Sequence, residues 1–154
     1  MLRMTLWHEP NHFQFYIQDR YKGAGINRRL GEELLSRDFA VGKGIVLVAV
    51  KSEFAQIPIA VEFDQNPLEI LNFEDWDKIV ECSIDVVSGE LVFVGCASDP
   101  VRESFGLLEV SPGVYRLRIF FGGQDSVGSS GAATDHYLVQ VWPSTDVVET
   151  VVKS

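Results

Sequence analysis

Apolar and polar residues alternate along two stretches in the last third of the chain. Each has an apolar residue at every second position: Tyr115, Leu117, Ile119 and Phe121 in the first, Tyr137, Val139 and Val141 in the second. A period of two is typical of a strand with one buried face, and two such strands joined by a loop predict an antiparallel pair. If both apolar sets face the core, paired residue numbers have an even sum, for example Leu117 opposite Val139. A one-residue shift would bury Arg116 and Arg118 instead.

Shorter runs of the same kind, bounded by turn residues, predict further strands at 3–8, 12–18, 44–50, 57–63, 78–87, 90–96, 105–110 and 146–152. The run 44–50 is continuously apolar, which favours a central strand buried on both faces. The turn at Ser88 and Gly89 predicts a tight hairpin that pairs Val86 with Glu90, with Gly89 at positive φ.

One segment, 27–38, has the pattern of a short helix. Asn27 is a favourable N-cap, and Ile26, Leu30 and Leu34 recur at four-residue spacing. Gly31 in its interior weakens the helix. About nine short strands and one short helix predict an all-β fold: a two-sheet antiparallel β-sandwich of the jelly-roll-like kind. We expect residues 1–154 to form a single domain.

The charge balance narrows the class of partner. The chain has 22 acidic and 13 basic residues, a net charge of −9. This charge disfavours nucleic-acid binding, which depends on neutralising phosphates, and suits solubility or a basic protein partner. No apolar run reaches the ~18 residues of a membrane span, and residues 1–9 lack the apolar core of a signal peptide.

The predicted positions of the two cysteines indicate a cytoplasmic protein. In the predicted hairpin Cys82 lies opposite Val94, so Cys96 is placed diagonally to it, which is poor geometry for a disulfide. Buried free thiols in a reducing compartment are therefore expected, and the protein is predicted to be cytoplasmic.

The most distinctive candidate for a binding site is a short acidic and aromatic stretch. Its members are Glu74, Asp75, Trp76 and Asp77. Tryptophan is enriched at binding hot spots, and carboxylates around it would steer a basic partner. The alternative is structural: Trp76 caps one end of the sandwich core while the acids remain solvated.

A second candidate lies on the solvent-facing side of the alternating strands. Arg116, Arg118 and His136 share that face with Gln140, and guanidinium groups pair well with carboxylates. This candidate requires a concave pocket there; arginines paired with the protein's own acids would remove its basis.

Neither a metal site nor a catalytic site is predicted. His8 and His12 have the spacing of helical metal ligands, but Pro10 lies between them, and the sequence leaves open whether they converge with His136. The stretch Gly128-Ser129-Ser130-Gly131 is not a nucleophile elbow, and the glycine-rich stretches do not open a helix as a phosphate loop does. No cofactor is expected.

Two parts of the chain resemble a known group of proteins. They are Asn11-His12-Phe13 before a strand, and Pro112-Gly113-Val114-Tyr115-Arg116-Leu117-Arg118 followed by Asp135-His136-Tyr137 and Val141-Trp142-Pro143. They are similar to small bacterial β-sandwich proteins of uncharacterised function and, more distantly, to the competence-associated inhibitor of a DNA-entry nuclease (competence protein J). The resemblance implies a non-enzymatic, acidic β-sandwich that binds and silences a partner enzyme without a cofactor.

Three functional hypotheses follow from the sequence. The first is a non-enzymatic binding protein, of the inhibitor or immunity type, for a basic protein such as a nuclease. The second is a β-sandwich that binds a small ligand or a metal through Arg116, Arg118 and His136. The third is a structural or oligomeric domain whose tail, 146–152, adds a strand to a neighbour. The identity of a partner and the oligomeric state are not determined by the sequence.

Overall fold

The computed structural model describes residues 1–125 and 135–154, and in them eleven strands form two sheets. In spatial order, the six-stranded sheet consists of β1 (Leu2–His8), β5 (Ile57–Phe63), β10 (His136–Pro143), β9 (Gly113–Gly122), β6 (Lys78–Val86) and β11 (Glu149–Lys153). The five-stranded sheet consists of β3 (Phe39–Gly42), β4 (Ile45–Ala49), β2 (Gln14–Asp19), β7 (Glu90–Gly95) and β8 (Gly106–Glu109). A two-sheet sandwich with one short α-helix is confirmed.

All neighbouring strands are antiparallel except β5 and β10, which run parallel. A parallel neighbour needs a long connection, and β5 and β10 are far apart in the chain. The predicted tail strand is present as β11, which pairs with β6 at the edge of the sheet.

The core lies between the two sheets and is built from the alternating apolar residues. Ile119, Phe121 and Val139 are fully buried and belong to one cluster with residues of the other sheet, among them Phe15 and Phe93. The predicted pairing of β9 with β10 is confirmed, with Val139 opposite Ile119. The paired residue numbers have an even sum, as predicted, but Leu117 lies opposite Val141 and not opposite Val139. Burial of one face restricts the register to even sums but does not select among them.

The predicted hairpin at Ser88 and Gly89 is wrong. Strand β6 pairs with β9 and β11, whereas β7 pairs with β2 and β8, so the turn carries the chain from one sheet to the other. Gly89 does adopt positive φ, at 79°. The buried Asp19 carboxylate holds the turn, because it accepts a hydrogen bond from the Ser88 N–H at 2.8 Å.

Helix α1 (Arg28–Arg37) covers the outer face of the five-stranded sheet. Asn27 caps it as predicted, with its side-chain oxygen 3.0 Å from the Leu30 nitrogen. Leu30 and Leu34 are buried in a second apolar cluster with Leu47 of β4, so this strand is covered on both faces as predicted. No helix in the described part of the chain is long and apolar enough to cross a membrane.

Candidate functional site

Residues 64–77, here called the acidic segment, cross the outer face of the six-stranded sheet between β5 and β6. Three side chains hold its backbone carbonyls: Arg118 donates to Leu68 at 2.7 Å, Gln140 to Glu69 at 3.2 Å, and Lys153 to Phe73 at 3.0 Å. The sheet therefore positions this irregular segment through hydrogen bonds to its main chain.

Trp76 attaches the end of the acidic segment to the sheet. It follows a single 3₁₀ turn, Phe73–Asp75, and is half-buried. Its ring lies 5.2 Å from that of Phe120 and 5.3 Å from that of His136, measured between centroids. Phe120 points away from the core in β9, since its neighbours Ile119 and Phe121 point into it. Trp76 thus covers the outer face of the sheet and does not cap the end of the sandwich core.

The acidic segment carries negative charge that the described part of the protein does not neutralise. Five of its residues are acidic and none is basic: Asp64, Glu69, Glu74, Asp75 and Asp77. None of these five forms an ion pair within residues 1–125 and 135–154. Four of them are exposed, and Asp64 is half-buried. The segment therefore presents carboxylates beside a tryptophan.

A row of polar residues runs across five strands beneath the acidic segment. We call it the polar ladder: Arg3, Glu62, Gln140, Arg118 and Glu81, each opposite the next in the strand register. Arg3 pairs with Glu62, Gln140 donates to Glu62 at 2.9 Å, and Arg118 donates to both Gln140 and Glu81 at 2.9 Å. The sequence did not indicate that Arg3, Glu62 and Gln140 lie together. The only signal was a polar residue within each of two apolar strands, β5 and β10.

The Arg116, Arg118 and His136 face is engaged internally. Glu81 lies 2.9 Å from each guanidinium group, and both arginine side chains are mostly buried. The register places His136 opposite Gly122 but Trp142 opposite Arg116, six positions further along β10. That distance is about 20 Å at the rise of a strand. The three residues do not converge, and this arrangement gives the ligand-binding alternative no support.

The three histidines also have separate surroundings. His8 stacks on Phe105 at 4.1 Å, His12 is exposed, and His136 contacts Trp76. Within the described ranges, no three His, Cys, Asp or Glu side chains are grouped closely enough to hold a metal ion. The serines of Gly128-Ser129-Ser130-Gly131 lie outside the described residues.

Asp135 and Cys82 are buried within the fold. Asp135 is fully buried and accepts hydrogen bonds from the Lys51 and Ser52 nitrogens and from the Tyr137 hydroxyl. These contacts fasten the turn after β4 to β10. Neither cysteine forms a disulfide; Cys96 is half-buried, and burial raises the pKa of Cys82 to about 12, which keeps its thiol protonated.

Comparisons with solved structures place the fold beside two others. One is ComJ from Bacillus subtilis, described as an inhibitor of the DNA degrading activity of NucA: the TM-score is 0.63 at 14% identity, over 94% of this chain and 96% of that one. The other is described as crocagin biosynthetic gene J: the TM-score is 0.53 at 16% identity, over 93% of this chain and 99% of that one. No protein-family model and no curated protein matches the sequence. The resemblance to the competence protein J fold is confirmed.

Proposed function

We propose that this protein is a non-enzymatic binding protein that inhibits a basic partner, of which a nuclease is the leading example. The observation that carries the proposal is the acidic segment, which has five carboxylates outside any described ion pair, three of them within two residues of the half-buried Trp76. Anchoring of its backbone to the sheet lowers the conformational entropy lost on binding. The likeness to ComJ supports an inhibitor role and a nuclease as the partner class.

In this proposal the residues have distinct roles. Trp76 is the anchor, because its ring is already supported by Phe120 and His136 and needs little ordering. Glu74, Asp75 and Asp77 steer the basic surface of the partner and set the association rate. No group in this mechanism carries out covalent chemistry, and no cofactor is needed.

The test is a capture experiment from a lysate of the source organism, followed by an assay of DNA degradation by the captured protein. The variant E74Q/D75N/D77N removes three charges from the acidic segment. We expect it to weaken binding by about tenfold or more in low salt, with a matching loss of inhibition.

The matched control, E9Q/E109Q/D146N, removes three charges at exposed positions outside the acidic segment. It is expected to retain affinity and inhibition. Equal affinities of the two triple variants would show that net charge, and not this segment, drives binding. A captured protein whose activity is unaffected would contradict the inhibitor role.

A further inference from the structure

A small pocket opens at the Arg3 end of the polar ladder, next to Trp76. Its volume is about 150 Å³. Glu62 and Gln140 are 8% and 4% exposed and form its deep polar part, whereas Leu71, at 68% exposed, is at its rim. Trp76 and Leu138 supply further apolar surface. The pocket therefore combines a buried carboxylate, an amide and an indole ring.

The buried carboxylate already holds a cation from the same chain. Arg3 pairs with Glu62, but the Arg3 side chain is 59% exposed, whereas that of Glu62 is 11% exposed. Arg3 also lies on an edge strand, β1. An ion pair whose basic member is mostly solvated contributes little stability, so exchanging Arg3 for another cation costs little.

We propose that this pocket receives an arginine side chain of the basic partner, whose guanidinium group displaces Arg3 from Glu62. The inference rests on the proposed function and specifies which group of the partner is recognised. A guanidinium group pairs with a carboxylate through two parallel hydrogen bonds and stacks on an indole ring, and the methylene groups of arginine suit Leu71 and Leu138. A lysine ammonium matches this arrangement less well, because it lacks the planar fork.

Charge and position agree with this assignment. Glu74 and Asp75 directly precede Trp76 and are exposed, so they would attract the same basic surface that supplies the arginine. The same polar ladder shows the chemistry within this protein: Arg118 pairs with Glu81 and lies over the Trp142 ring at 4.6 Å. A carboxylate and an indole ring thus already hold one guanidinium group on this sheet.

The test uses the full chain and N-acetyl-L-argininamide as a probe, followed by NMR through the indole N–H signal of Trp76. R3A removes the competing cation from an exposed position and is expected to tighten probe binding by about threefold or more. E62Q keeps the shape of the side chain but removes its charge, and is expected to weaken binding by about tenfold. E109Q, at an exposed position of β8, is the charge-matched control and is expected to change nothing.

Three results would overturn the inference: no detectable shift with the wild-type and R3A chains, equal affinity for N-acetyl-L-lysinamide, or an E62Q affinity equal to that of E109Q. W76L is a second variant that leaves Glu62 intact, and its probe binding is followed through the backbone N–H signals of Leu138 and Gln140, which line the pocket. Loss of the argininamide preference supports stacking on the indole, and an unchanged preference contradicts it. The probe assay contains no partner. If the probe binds but no partner is found whose activity is inhibited, the result counts against the proposed function alone. If E74Q/D75N/D77N weakens binding of the partner but E62Q does not, the result counts against the arginine pocket alone.

Discussion

At the scale of single residues, two buried carboxylates hold turns together. Asp19 and Asp135 are both fully buried, and each accepts hydrogen bonds from backbone N–H groups at neighbouring turns. Burial by itself would raise the pKa of Asp19, but hydrogen bonds from Ser88, Tyr21 and Lys22 outweigh it and hold the pKa below its ordinary value. Both carboxylates therefore stabilise turns of the fold.

His8 is expected to make stability depend on pH. Its ring stacks on Phe105, and its buried Nε2 has no hydrogen-bond partner in the described residues, so desolvation lowers its pKa below 6.5. The unfolded chain then binds a proton more readily, and the free energy of unfolding falls as the pH decreases from above 6.5 through the lowered pKa. Urea denaturation at several pH values measures this fall.

The variant H8F keeps an aromatic ring beside Phe105 but cannot be protonated. We expect a flatter pH dependence in H8F between about pH 8 and pH 5, a range that extends about 1.5 pH units on each side of the ordinary histidine pKa. The control H12Q changes an exposed histidine and is expected to leave the wild-type slope intact. An H8F slope equal to that of the wild type would assign the pH dependence to other groups.

At the scale of secondary-structure elements, α1 contributes by covering apolar surface. Leu30 and Leu34 cover the outer face of the five-stranded sheet, and this contact stabilises a helix of only ten residues. Gly31 weakens the interior of the helix, as the sequence indicates. In the described part of the chain, no atom packs closely enough against Gly31 to require a glycine at that position.

Replacement of Gly31 by alanine is expected to stabilise the protein by about 0.5–1 kcal/mol, because alanine restricts the unfolded backbone. A Cβ at position 31 would meet no atom within 4 Å. Gly42→Ala is the opposite case, since its Cβ would lie 2.9 Å from Ile45 and 3.0 Å from Leu30. Chemical denaturation of both variants should therefore give changes of opposite sign. A destabilised G31A would show that a glycine is required at position 31, and an unchanged stability would show that the helix does not limit stability.

At the scale of the whole molecule, the position of the charges on the surface matters more for binding a partner than the net charge of the chain. Most arginines pair with acids of the same chain, as Arg20 does with Glu90 and Arg118 with Glu81. The acidic segment holds no basic residue. Negative charge outside any described ion pair is thus concentrated along the acidic segment, over one face of the sandwich.

Binding of a basic partner is expected to weaken as the salt concentration rises. Between about 0.1 M and 1 M salt the Debye length falls from about 10 Å to about 3 Å, which screens exposed charges. The association rate should fall by about tenfold or more, while the dissociation rate changes less, as surface plasmon resonance with the captured partner would show. The E74Q/D75N/D77N variant should have a shallower salt dependence; an equal slope would place the steering charges elsewhere.

The fold class followed from short-range patterns, whereas the strand partners did not. Periods of two residues identified the strands, and the cap at Asn27 identified the helix, because both patterns depend on local geometry. The Ser88–Gly89 turn was assigned to a hairpin although it joins two sheets. Both strands flanking it are apolar, and a turn sequence does not encode which sheet its second strand enters.

The candidate site was only partly accessible from the sequence. The composition of residues 73–77 identified Trp76 and its acids, because they are adjacent in the chain. The polar ladder was not accessible, since Arg3, Glu62 and Glu81 are distant in sequence and become neighbours only through the register of five strands. The same register separates His136 from Arg116, which the shared face alone did not reveal.

The sequence by itself therefore determined the local properties of this protein: where strands alternate, where the helix begins, which face of β9 is buried, and where negative charge collects. The tertiary structure alone decided which strands are neighbours, that the acidic segment lies across the outer face of one sheet, and that Arg3 pairs with Glu62. The physical reason is one of range. Alternation, capping and charge act between residues that are close in the chain, whereas strand pairing brings together residues whose sequence separation carries no local signal.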